Sequence, residues 1–150
     1  MPYAQSKIRR SYDYPGGAIT RAAGGFSSDD TEVIGRWVQL RPDGSVLLLA
    51  ANIRPYGVIA TLSEDKVGVD VGPFVTGKQG PTAALTVNSP VTGDTRVVEA
   101  GGTAERGFIK NATVPAANLT AAYHSMGIVE QSEATTANTE GVASTVVRMY

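Results

Sequence analysis

The stretch that decides the fold is Gly35-Arg36-Trp37-Val38-Gln39-Leu40, a corner at Arg41-Pro42-Asp43-Gly44, and then Ser45-Val46-Leu47-Leu48-Leu49-Ala50. Two short runs of Val, Leu and Trp flank a Pro-Asp-Gly turn, the pattern of two paired strands. Pro42 fixes the entry to the turn, and Asp43-Gly44 supplies residues that tolerate positive φ. The apolar residues on either side suit a pleated, half-buried surface. The stretch predicts a hairpin and carries no catalytic constellation.

Working outward, Gly57-Val58-Ile59-Ala60-Thr61-Leu62 predicts a strand closed by Ser63-Glu64-Asp65. From Lys66 to Gly72, Val67, Val69 and Val71 alternate with Gly68, Asp70 and Gly72. That two-residue period predicts a strand with one core face and one thin, polar face. Pro73-Phe74-Val75-Thr76 continues past a kink. Further strands are expected at Ala83–Val87, Thr95–Ala100, Gly107–Lys110, Met126–Glu130 and Val142–Met149, with loops at 88–94, 101–106 and 132–141. Pro115 to His124 predicts one short helix, with Thr113 available as a cap. Strand signals this closely spaced favour antiparallel pairing over a parallel sheet that needs crossover helices. The fold class is therefore all-β, a small antiparallel β-barrel or β-sandwich with at most one short helix and an extended N-terminal arm.

A chain of 150 residues suits one ordinary domain. Residues 1–25 form the expected arm and 26–150 a β-rich domain. The arm holds Lys7, Arg9, Arg10 and Arg21 against Asp13, a net charge of +3, which leaves −4 for the rest of a chain of net −1. It also carries Tyr12 and Tyr14, with Pro15 and glycine pairs that show neither helical nor strand periodicity. Such a segment could order against a partner, tyrosines giving contact area and arginines engaging carboxylates. Nearly neutral overall charge gives little drive toward nucleic acid or an anionic membrane. The start lacks the apolar core of a secretory signal, and no apolar run reaches membrane-spanning length. A soluble protein made in the cytoplasm is the expectation, with the two Asn-x-Thr triplets at Asn111 and Asn118 read as chance matches.

The sequence offers little reactive chemistry. With no cysteine and one histidine, the ligands preferred by zinc are nearly absent. His124 has no Gly-x-Ser-x-Gly elbow to accompany it, and a surface or interface position is expected. The acids near Asp29 lack the spaced ligands of a calcium loop, and Gly77-Lys78 is followed by Gln79 where a phosphate-binding loop requires Ser or Thr. Asp70, Glu99 and Glu130 lie on or beside strands, where an outward-facing acid is ordinary; a glycosidase-like pair is the alternative. Trp37, Phe26, Phe74 and Phe108 are expected in the core. No cofactor or metal is expected.

In layout the chain resembles the head decoration, or capsid cement, proteins of tailed bacteriophages. The likeness rests on the Asp-Gly hairpin, Gly57-Val58-Ile59, the alternating Val67, Val69 and Val71, and a late series. That series runs through Gly107-Phe108-Ile109-Lys110, an Ala-rich segment, Gly127-Ile128-Val129-Glu130 and Val146-Val147-Arg148-Met149. The resemblance spans residues 33–150 and implies a compact β-barrel-like domain on the outside of the virion capsid. It further implies the major capsid protein and copies of the chain itself, as a homotrimer, for partners, with no nucleic acid and no membrane. The N-terminal arm would then supply shell contacts through Lys7, Arg9, Arg10, Tyr12, Tyr14 and Arg21. A tail or head-fibre component, and a small β-barrel carbohydrate-binding module or hydrolase, are the alternative readings.

Overall fold

The computed structural model describes residues 8–16, 20–80, 83–112, 127–132 and 145–149. These residues are all-β, in three antiparallel sheets, with no helix of seven residues or more and no closed barrel. The largest sheet contains β1 (Ile8–Tyr12), β2 (Trp37–Leu40), β3 (Val46–Leu48), β4 (Gly57–Leu62) and β5 (Val67–Val71), in the order β1-β5-β4-β2-β3. A three-stranded sheet contains β6 (Phe74–Gly77), β9 (Ile128–Ser132) and β10 (Thr145–Arg148), in the order β6-β10-β9. β7 (Val91–Val97) and β8 (Ala104–Asn111) form a two-stranded ribbon.

The predicted hairpin forms, with Val38 opposite Leu48 and Leu40 opposite Val46. The Arg41 and Ser45 backbones close the turn, and Asp43 Oδ1 accepts hydrogen bonds from the Ser45 amide at 3.0 Å and its hydroxyl at 2.6 Å. Gly44 takes the positive φ, +86°, that the corner requires. Because side chains alternate along a strand, neighbouring residues of β2 enter different cores. Val38 joins Val46, Leu48, Ile59, Val67 and Val69 on one face, under Phe26 and Val33. Trp37, with Val58 and Leu49, meets Val75, Val91, Ile109, Val129 and Val147 of the two smaller sheets on the other. Both faces of the central sheet are thus covered over β2 and β4.

A bulge between Ile59 and Thr61 makes this compatible with the sequence of β4. Ile59 and Leu62 are three positions apart, so regular alternation would send them to opposite faces. The extra residue restores Leu62 to the core of Ile59, opposite Val67.

Several expectations need correction. Residues 83–87 form no strand; the Leu85 amide donates to Ser132 Oγ at 2.7 Å and the Thr86 amide to Asn111 Oδ1 at 3.2 Å, so side chains take the donors a ladder would have used. The expected loop at 88–94 is instead half strand, because β7 begins at Val91, and β8 begins at Ala104, inside the expected loop at 101–106. The long ribbon absorbs its turn-forming residues by a register shift opposite Gly107. Ile8–Tyr12, within the segment read as an arm, pairs along its whole length with β5. The expected helix at 115–124, His124 and Asn118 lie outside the described residues.

Gly93 shows why propensity misled at β7. The Gly93 amide donates to the Ile53 carbonyl at 2.8 Å, and its carbonyl accepts from the Asn52 amide at 2.9 Å. A Cβ at residue 93 would overlap the carbonyl oxygen of Ala50. Glycine is there for close backbone approach, and that approach anchors the 50–56 connection on the ribbon. Gly93→Ala is expected to destabilise the protein by about 3 kcal/mol, since main chain cannot yield as a rotamer does. Gly16→Ala, with open space around residue 16, should change stability by less than about 0.5 kcal/mol. Urea denaturation of both variants checks the contrast.

Candidate functional site

The connection held by Gly93 forms one wall of a groove of about 740 Å³ at the end of the central sheet where β1 and β4 begin and β5 ends. Ile8 enters it from β1, Leu40 from the end of β2, Ile53 from the connection and Met149 from beyond β10. Ile8, Leu40 and Ile53 are 53%, 47% and 42% exposed, three of the five large apolar side chains exposed among the described residues. Gathering them in one concavity distinguishes the groove from ordinary scattered surface residues. Among the described residues its charged lining is Arg10 and Arg54.

The six residues expected to make partner contacts have different fates. Lys7 lies outside the described residues. Arg9 turns to the other face of β1, its Nε 2.9 Å from Asp70 Oδ1 and its Nη2 3.4 Å from Oδ2. Asp70, expected as an ordinary outward-facing acid, is only 6% exposed, and the pair fastens β1 to β5. The hydrogen bond and charge of Asp70 raise the Arg9 pKa above its usual value. Tyr12 stacks edge-on against Tyr56 with ring centroids 5.6 Å apart, and the two hydroxyls are hydrogen-bonded. Tyr14 packs on Phe26 and donates its hydroxyl to the Ser63 carbonyl at 2.6 Å. Arg21 is gripped by Glu32, Asp30 and Glu105, the last two at 3.5 Å. Glu105 also lies 2.9 Å from the fully buried Arg36, whose guanidinium sits over the Phe108 ring at 5.1 Å. Arg10 is the one described member of the six that lines the groove.

The N-terminal segment is therefore a fastening of the fold, bound to the rest of the chain over most of its described length. After β1 it crosses the far edge of the sheet, where the Val46 amide donates to Asp13 and the Leu48 amide to Gly24. Leu40, Ile53 and Arg54 were not singled out as site residues from sequence. The signal available for Ile53 and Arg54 is Asn52-Ile53-Arg54-Pro55-Tyr56, an interstrand connection that places an aliphatic, a cation and an aromatic where turns are usually small and polar; Leu40, at the end of β2, had no such signal.

Asp70, Glu99 and Glu130 are not brought together at the groove, which none of them lines. Glu130 pairs with Arg148 at 3.3 Å. Among the described residues no cluster of His, Asp and Glu could hold a metal ion, and no helix is long and apolar enough to cross a membrane. Trp37 is fully buried, as expected of a core residue. No family model, curated protein or solved structure matches the chain.

The tyrosine pair beside the groove gives its attachment a pH signature. Burial first, and then the hydrogen bond with Tyr56, push the Tyr12 phenol up to about 12, while nearby Arg10 pulls the other way. An unfolded phenol ionises near pH ~10, so the folded state holds the proton more tightly. The resulting stabilisation is complete below pH ~10 and is lost as the pH rises toward ~12. Urea midpoints measured across that interval are expected to fall, and Tyr12→Phe should flatten the descent.

Proposed function

We propose that this chain is a structural virion protein that binds the outer surface of an assembled tailed-phage capsid and reinforces it by bridging neighbouring capsid subunits. The observation that carries the reading is the groove: exposed Ile8, Leu40 and Ile53 with a basic lining, built on a sheet stiffened from both sides. An apolar patch rimmed by polar groups is the form of a protein-docking surface. The order of strands, turns and alternating valines, similar to that of decoration proteins, supplies the identity of the shell, its major capsid protein being the partner.

The physics of a lattice suits such a module. A modest contact repeated on every subunit, with copies of the chain joined as a trimer, gains avidity that no single site needs to supply. Reinforcement then follows from holding adjacent subunits in fixed separation. Leu40 and Ile53 are the part of this scheme that substitutions can address without dismantling the fold, because their side chains are exposed.

Leu40→Asp and Ile53→Asp are expected to reduce co-sedimentation with capsids assembled without the protein by about tenfold each. Their far-ultraviolet circular dichroism should match that of the unaltered chain. Equal pelleting by the folded variants would overturn the docking face. Binding to isolated tails in place of capsids would transfer the proposal to the tail.

A further inference from the structure

The two edges of the central sheet are treated differently. The β3 edge is covered by the chain itself: Asp13 bridges Ser45 in parallel, and the amides of Val46 and Leu48 donate to the carbonyls of Asp13 and Gly24. Over Ile8–Tyr12 the β1 edge has β5 on one side and, among the described residues, no strand on the other; the next residue, Asp13, closes onto β3. Ile8, Arg9, Arg10 and Ser11 are all exposed. Alternate amides and carbonyls of such an edge strand point outward, a ready template for another strand. The open edge also borders the groove, since Ile8 and Arg10 belong to both.

We infer that β1 is the receiving edge for an extended segment of the docking partner, one that carries an apolar residue and, two positions away, an acidic one. The spacing follows from the pleat. Ile8 and Arg10 pair with Val71 and Val69 and so share one face of the sheet, while Arg9 pairs with Asp70 on the other. A strand laid along β1 places its own alternate side chains beside Ile8 and Arg10, the first matched by an aliphatic and the second by a carboxylate. Main-chain bonds would give affinity and these two neighbours specificity.

Charge selects the occupant. A second copy pairing β1 against β1 would set Arg9 and Arg10 of one strand against the same residues of the other, and like charges placed opposite are destabilising. The inference rests on the docking reading above and specifies the chemistry of what docks.

The test uses the full chain, isotopically labelled, and a blocked peptide Thr-Val-Thr-Asp-Thr-Val-Thr, whose symmetry presents aspartate flanked by valines in either direction. Binding is expected to shift the amide resonances of residues 8–12, to weaken with salt, and to be about tenfold tighter than for the same peptide with lysine in place of aspartate. Arg10→Glu should reverse that preference. Two further peptides are N-methylated at alternate amides, one on the threonines and one on the valines and aspartate. Only one of them should lose binding, because a paired strand turns only one set of donors toward its neighbour. Absence of saturable binding, equal binding by all peptides, shifts confined to other residues, or a dimer formed through β1 would each overturn the inference. If capsid binding still depends on Leu40 and Ile53 while the peptides fail, strand addition falls alone; if capsid binding is insensitive to both, the docking reading has failed instead.

Discussion

The rest of the structure depends on the burial of one hairpin from both sides. Trp37 and Val38 are adjacent in sequence and fully buried, yet they belong to different cores, one shared with the smaller sheets and the other with the N-terminal covering segment. Burying an aliphatic or aromatic side chain fully is worth about 2–3 kcal/mol, and here both residues contribute without either face being left to solvent. A register slip of one residue would exchange the two sets and place each in the wrong cavity, so the two cores lock the pairing together.

That constraint also explains why the N-terminal segment is built in. A sheet covered on only one side would expose Val38, Leu48 and Ile59; the segment through Phe26 and Val33 covers them. The segment is secured by contacts of several kinds: the β1–β5 ladder, the Arg9–Asp70 pair, the Tyr12–Tyr56 and Tyr14–Phe26 contacts, and Arg21 among three carboxylates. Most of its polar chemistry is satisfied within the chain. Of its exposed residues, Ile8 and Arg10 stand at the groove.

The docking face proposed here would derive its specificity from rigidity. The 50–56 connection is anchored to β7 through Gly93, and the Thr92 hydroxyl donates to the Ile53 carbonyl at 3.3 Å, so the wall of the groove is positioned before any partner arrives. Preorganisation limits the ordering cost of binding. In the proposed lattice role, that saving would recur at every copy.

The sequence by itself determined the strand class, the hairpin turn at Asp43-Gly44, the presence of a strand at β5, and the interior position of Trp37, because period and turn chemistry are local properties; that both faces of β5 are buried was decided by the tertiary structure. It could not place the ends of β7 and β8. Gly93 and Gly107 look like turn residues to any local reading, whereas backbone approach and a register shift between distant strands decide their roles. Nor could it assign Arg9 and Arg10, which are neighbours of identical type. Only the pairing of β1 with β5 sends one to Asp70 and the other to the groove, and only the meeting of Ile8, Leu40 and Ile53 from three separate elements makes a groove at all. Long-range strand order is not written in any local stretch, and it is long-range order that builds the site.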